Sequence, residues 1–208
     1  MPQGFRFVPG HLDRKAQEAL RDAVLGLLRD APLYRATMPK TGKAMSVRST
    51  NLGPLGWYSD KADGYRYQAL HPQTGQPWPA IPQILLDVWE RLADYPAPPE
   101  ACLVNFYDAD ARMGLHRDFD EIDLRAPVVS VSLGDNALFR LGGVKRGGPT
   151  AGLKLSSGDV VVLGGEARLA YHGVAKIFPG TSTLLPEGGR INLTMRRVTM
   201  PGQPGAST

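Results

Sequence analysis

Residues 190–196 read RINLTMR. In a strand, alternate side chains share a face, so Arg190, Asn192, Thr194 and Arg196 stand opposite Ile191, Leu193 and Met195. The apolar set calls for a core. The polar set meets water if the strand is half exposed, but lines a polar interior if the strand belongs to a barrel. The runs before it favour a layered all-β architecture: ACLVNFY (101–107), VVSVSL (128–133), ALFRL (137–141) and LKLSSGDVVVLGG (153–165) are short, rich in β-branched and aromatic residues, and free of helical spacing. Turn signals such as GGVKRGG and PEGG separate them. A sandwich, a jelly roll or a small barrel follows from this pattern. In ACLVNFY the same alternation puts Asn105 and Tyr107 on one face, and Val104 and Phe106 on the other.

Working outward, two segments read as helix. Leu12, Ala16, Leu20, Val24 and Leu28 recur every four residues behind Asp13, a plausible cap. Leu85, Val88, Trp89 and Leu92 form a stripe that starts near Pro82 and stops before Pro96. Residues 31–80 are rich in turn formers and aromatics and read as a loop-rich layer with short strands. The tail MPGQPGAST reads as disordered.

Composition sets outer limits. The chain has 208 residues, 42% hydrophobic and 21% charged, with a net charge of +4 and a pI near 9.3. These values suit an ordinary globular protein and allow a polyanionic partner without requiring one. No run approaches the roughly 18 apolar residues of a membrane span. The start lacks the marks of a secretory signal, and the single cysteine, Cys102, reads as a buried structural thiol. A reducing cytoplasm fits.

The chemistry concentrates in GLHRDFDE, residues 114–121, where His116, Asp118 and Asp120 alternate. An imidazole and a carboxylate at this spacing can hold a divalent metal from two adjacent positions, but an H-x-D pair is common by chance. Of the four histidines, His11 and His71 lie in loop-like contexts. His172, in RLAYHGV after a later strand, is the best completion. Two histidines and one carboxylate leave coordination positions open, which suits non-haem Fe(II). Arg190, on a nearby strand, offers the planar fork that a dicarboxylate needs. Taken singly, His116 reads as a surface histidine, His172 equally well as a turn residue, and the arginines as a solvated strand edge. The combination favours the metal site.

In these segments, together with GWYSDKADGYRY, HPQTGQPWPAIPQ, GGVKR and GDVVVLGGEARLAYHG, the chain resembles the AlkB family of iron- and 2-oxoglutarate-dependent nucleic-acid demethylases. The resemblance runs from about Met45 to Arg196. It implies a mainly β fold with flanking helices: a double-stranded β-helix (jelly roll) over 101–198, an N-terminal helix and nucleotide-recognition lid over 1–100 packed on it as one structural unit, and a disordered tail over 199–208. It implies His116, Asp118 and His172 as metal ligands. Asn105, Phe106, Tyr107, Arg190, Asn192 and Arg196 become co-substrate contacts, with Arg190 on the far carboxylate of 2-oxoglutarate and Arg196 nearer the keto-acid end. Trp57, Tyr65, Tyr67, Asp120 and Arg146 become substrate contacts, Asp120 also catalytic through the exocyclic nitrogen of the base. Lys43, Arg48, Lys145 and Arg146 are candidate phosphate contacts.

The implied reaction uses Fe(II), 2-oxoglutarate and O2 to demethylate N-alkylated bases of the 1-methyladenine and 3-methylcytosine type. The implied partner is alkylated DNA, single strands preferred, with RNA a second candidate; a monomer is the default and no membrane is involved. An independent argument supports Asp120: those lesions are cationic, and a nearby carboxylate favours the charged form. Phe106, Leu163 and Arg117 depart from the family pattern, where a polar or basic residue, a tryptophan and a glutamine are expected. Two other readings stand: a 2-oxoglutarate-dependent hydroxylase of a protein or small molecule, and a non-catalytic jelly-roll binding module.

Overall fold

In the computed structural model, which describes residues 1–202, a six-stranded and a four-stranded antiparallel sheet face one another, with a separate hairpin beside them. The chain runs through β1 (Phe5–Val8), α1 (Arg14–Leu27), β2 (Arg48–Leu52), β3 (Gly56–Asp60), β4 (Gly64–Gln68), α2 (Gln83–Leu92), β5 (Ala101–Tyr107), β6 (Met113–His116), β7 (Val128–Gly134), β8 (Asn136–Leu141), β9 (Ala151–Leu155), β10 (Val160–Leu163), β11 (His172–Phe178) and β12 (Arg190–Arg196). The large sheet has the order β1-β10-β7-β12-β5-β2 and the small one β6-β11-β8-β9; β3 and β4 form the hairpin. This is the double-stranded β-helix, or jelly roll.

The two faces of β12 settle the question raised by RINLTMR. Ile191, Leu193 and Met195 are fully buried and join a core with Leu20 and Val24 of α1, Leu85, Val88 and Trp89 of α2, and Val129, Val131, Val160 and Val162 of the large sheet. Both helices therefore cover the outer face of that sheet, each burying the stripe read from sequence. Asp13 caps α1 by accepting from the amide of Ala16 at 2.8 Å, and Pro82 is the residue before the first turn of α2. The polar face of β12 points the other way, yet Arg190 and Arg196 are buried too. The polar face thus lines the space between the sheets.

Three expectations need correction. β1 and β2 belong to the large sheet, paired with β10 and β5, so the division at residue 101 does not divide the sheet. The strand near GLHRDFDE ends at His116, and Asp118 and Asp120 follow it in irregular chain. Thr199, the first residue assigned to the tail, is buried and bonded to both carboxylate oxygens of Glu100; residues 203–208 lie outside the described residues. Cys102 is fully buried in β5, and burial pushes its thiol up to about 12. Among the described residues, no helix is long and apolar enough to cross a membrane.

Candidate metal and co-substrate site

β6 and β11 pair so that His116 and His172 are directly opposite. Their rings are 4.6 Å apart between centroids. Asp118 reaches back over them: Oδ1 lies 3.7 Å from His116 Nε2, and Oδ2 lies 3.8 Å from His172 Nε2. One ligand atom from each residue falls within 4.8 Å of the others. Each imidazole sets its Nδ1 3.0 Å from a backbone carbonyl, that of Gly114 for His116 and of Ala170 for His172. A carbonyl only accepts, so both Nδ1 atoms carry the proton and both Nε2 lone pairs face Asp118, the orientation a metal requires.

The electrostatics agree. Burial first, then the neighbouring His116, lowers His172 to about 4, so its ring is neutral near pH 7. Burial opposes ionisation of Asp118, but the Arg196 guanidinium, His172 and His116 together outweigh it and hold the carboxyl well below the usual range. Arg196 donates to Asp118 Oδ2 from Nη2 at 2.9 Å and from Nε at 3.2 Å. Two imidazoles and one carboxylate form a donor set that fits Fe(II) and leaves positions open.

On the facing sheet, β12 and β5 are in register with Arg190 opposite Tyr107 and Asn192 opposite Asn105. Arg190 is fully buried. It donates to Ser132 Oγ at 2.6 Å and to the Asp135 carbonyl at 3.3 Å, its Nε has no partner, and no carboxylate forms a salt bridge with it among the described residues. Burial lowers it to about 10, so the buried side chain is charged at neutral pH. Isolated buried charges are costly, and a bound carboxylate is the partner this site lacks. Nη1 of Arg196 is likewise buried and unpartnered. Among the described residues the Tyr107 hydroxyl meets only the sulfur of Met113, at 3.8 Å, a weak acceptor. Asn192 donates to Ser130 Oγ at 2.6 Å and accepts from Thr194, while Asn105 accepts from Ser49 Oγ at 2.8 Å. These groups fit a small dicarboxylate such as 2-oxoglutarate.

Phe106 is not brought to this space. It packs on the helix-side core, with the Arg48 guanidinium 4.8 Å above its ring; strand alternation sends it away from Asn105 and Tyr107. Arg48 also pairs with Asp108 at 2.6 Å. Arg146 is exposed in the loop joining β8 and β9, with Lys145 beside it. Leu163 is buried in the apolar end of the inter-sheet space with Phe139 and Leu141. Arg117 lies over the rings of Phe119 and Tyr171, at 5.1 and 5.8 Å.

The β3–β4 hairpin reaches the segment that carries Asp118 through two side chains. Trp57 Nε1 donates to Asp120 Oδ2 at 3.0 Å, and the Trp57 ring stacks on exposed Tyr65, 5.6 Å between centroids and 25° between planes. The Tyr67 hydroxyl donates to Glu121. Burial raises the Asp120 carboxyl, only partly offset by Trp57, and Glu121 and Asp118 add to the rise. Glu121 and its partner Arg168, 2.9 Å away, were not singled out from sequence. Glu121 is one of four acids within residues 118–123, so nothing local in the sequence marks it or its distant partner.

A family model described as the 2OG-Fe(II) oxygenase superfamily matches residues 4–196. The chain belongs to this superfamily. Its relatives include an alpha-ketoglutarate-dependent dioxygenase AlkB homolog of Caulobacter vibrioides, 58% identical over 196 residues, which are 93% of this chain and 87% of that protein. The alpha-ketoglutarate-dependent dioxygenase AlkB of Escherichia coli is 45% identical over 186 residues, 88% and 84% of the two chains. Among solved structures, that of OsALKBH1 superposes with a TM-score of 0.80 at 30% identity, covering 95% of this chain and 98% of the other. Superfamily membership accounts for the pairing of an open two-histidine, one-carboxylate centre with a buried guanidinium facing it.

Proposed function

We propose that this chain removes methyl groups oxidatively from N-alkylated bases of nucleic acid, 1-methyladenine and 3-methylcytosine above all, using Fe(II), 2-oxoglutarate and O2 and releasing formaldehyde, succinate and CO2. The observation that carries the reading is the convergence of His116, Asp118 and His172 next to an aromatic hairpin bonded to Asp120. The relatives' names point the same way: besides the two dioxygenases above, they include a nucleic acid dioxygenase of Mus musculus, aligned over 38% of this chain.

Iron and 2-oxoglutarate, when bound, supply the oxidation of the methyl group by dioxygen. The protein's own residues do the rest. His116, Asp118 and His172 hold the metal; Arg190 takes the far carboxylate of the co-substrate, with Tyr107 donating to it. Asn192 helps at that carboxylate, Arg196 orients the keto-acid end, and Asn105 is a further co-substrate contact. An extruded base stacks against Trp57 and Tyr65, a contact worth about 1–3 kcal/mol per base. Asp120 selects the cationic lesion over the neutral base. Hydroxylation leaves a hydroxymethyl amine on the base, which collapses to formaldehyde and the repaired base. In this reading β3 and β4 form the nucleotide-recognition lid, and exposed Lys43, Lys145 and Arg146 meet the phosphates. Single-stranded DNA is preferred because extruding an unpaired base costs less, RNA is a second polymer, and the chain acts as a monomer in the cytoplasm.

The test is formaldehyde release from a single-stranded oligonucleotide carrying 3-methylcytosine, with Fe(II) and 2-oxoglutarate added. Wild-type protein yields formaldehyde in step with succinate, and Asp118→Ala yields none while keeping its circular dichroism spectrum. Succinate formation on a peptide or metabolite, with no formaldehyde from any methylated base, would transfer the site to the hydroxylase reading. Undiminished demethylation by Asp118→Ala would refute the ligand set.

A further inference from the structure

Between β6 and β7 the chain runs from Arg117 to Pro127 without regular secondary structure, yet it carries Asp118 and Asp120. Part of its fixing is ordinary: the amide of Ile122 donates to the Val198 carbonyl at 2.8 Å. That contact is four residues from Asp118 and does not determine where the carboxylate points. The end that matters is held by a side chain. Arg168, on the 3-10 helix Gly165–Leu169 just before β11, is 2% exposed. Its Nη1 donates to the Asp118 carbonyl at 2.6 Å, its Nε to the Ala126 carbonyl at 2.8 Å, and its Nη2 to Glu121 Oε2 at 2.9 Å. One rigid guanidinium therefore grips the start, middle and end of the segment.

The grip extends further. The other oxygen of Glu121, Oε1, accepts from the Tyr67 hydroxyl of β4 and lies 3.4 Å from Nε of Arg196, the residue that also bonds Asp118. Asp118 is thus fixed twice, through its carbonyl by Arg168 and through its carboxylate by Arg196. Glu121 sits between the two arginines and the hairpin. A buried pair adds little net stability against apolar replacements. What it adds here is direction, because a planar fork with donors in three directions fixes what it binds.

We infer that Arg168, with Glu121 as its counter-charge, is a positioning residue of the metal centre, setting the Asp118 carboxylate against the two imidazoles and tying the β3–β4 hairpin to it. The inference rests on the metal role proposed above for Asp118, and its test does not use nucleic acid. Groups that orient metal ligands typically change metal affinity about 10–100-fold when removed.

Mn(II) binding in the presence of 2-oxoglutarate, read from loss of the free-ion electron paramagnetic resonance signal, is the measurement. Arg168→Lys keeps a cation beside Glu121 but loses the fork. It is expected to fold with a wild-type circular dichroism spectrum and to bind Mn(II) about 10–100-fold more weakly. The double variant Arg168→Met with Glu121→Gln removes both charges, leaves no buried carboxylate unpaired, and is expected to show the same loss. Arg125→Met is the control: Arg125 pairs with Asp123 in the same segment at 2.9 Å but is exposed, and its Mn(II) affinity is expected to match wild type. Affinity within twofold of wild type in Arg168→Lys or in the folded double variant overturns the inference, as does an equal loss in the control. If wild-type protein binds Mn(II) tightly but releases no formaldehyde, the functional reading fails and this one stands.

Discussion

Arg190 carries a charge in a place where, among the described residues, only a hydroxyl and a carbonyl meet it. That makes opposite predictions for the empty and loaded protein. Arg190→Met replaces a desolvated cation with an apolar chain of similar length, which is neutral or stabilising for buried charges without ion partners. The melting temperature of the ligand-free variant should equal or exceed wild type by differential scanning fluorimetry. Its KM for 2-oxoglutarate should rise at least about 30-fold, the lower end of the cost of truncating one side of a buried charge pair. A variant that melts lower with an unchanged KM would give Arg190 a purely structural role. A second residue-scale prediction concerns acid. His172 is lowered from 6.5 to about 4. Between those values the unfolded chain binds a proton that the folded chain refuses, so metal-free protein should lose stability as pH falls through that window. His172→Gln should flatten the dependence in urea titrations at stepped pH. At this scale the cluster of His116, Asp118 and His172 was legible because few residue types suit iron, and the buried Arg190 because a dicarboxylate calls for a guanidinium. Phe106 was drawn in by its neighbours, although alternation alone placed it on the far face. Arg168 and Glu121 were not legible, since a buried ion pair 47 residues apart has no signature in one dimension.

The element that decides the geometry is the β6–β11 pair, the half of the site that sequence patterning showed least. HGVAKIF has no clean alternation, because the ladder slips between Val174 and Lys176 against β8 and between His172 and Val174 against β6. β12, by contrast, keeps its register along its whole length with β5, and its alternation reads directly as a strand. Such irregularities shift which side chains face inward, which hid β11 and ended β6 at His116. Gly173 shows how closely the two strands approach. A Cβ there would sit 2.6 Å from the Met113 carbonyl oxygen and 2.8 Å from that of Gly114, and backbone cannot yield as a side-chain tip can. Gly173→Ala should therefore push β11 away from β6, destabilise the fold by about 1–3 kcal/mol as overpacking does, and spread His116 from His172. Equilibrium urea denaturation and Mn(II) titration check both effects. Unaltered metal affinity would show that the strand spacing does not set the site.

For the whole molecule, the jelly roll puts an apolar face of the large sheet under two helices and a charged face toward the small sheet. The helices, six of the twelve strands and the mainly β class followed from periodicity, whereas the membership of β1 and β2 in the large sheet did not, because strand order is set by long-range pairing. Net charge of +4 bears on the polymer rather than on the chemistry. Affinity for a methylated single strand should fall linearly with salt on a logarithmic plot, and Lys145→Gln should reduce the slope by about 0.7; an unchanged slope in fluorescence anisotropy would remove that residue from the phosphate path. All of this depends on one ion and one diacid being held between the two sheets. Crystals grown with Mn(II) and 2-oxoglutarate, measured at the manganese absorption edge, test that most directly. The account predicts a single anomalous peak bonded to His116 Nε2, His172 Nε2 and an Asp118 carboxylate oxygen, with the far carboxylate of the diacid on Arg190. A peak elsewhere, or a diacid that leaves Arg190 unpaired, would contradict it.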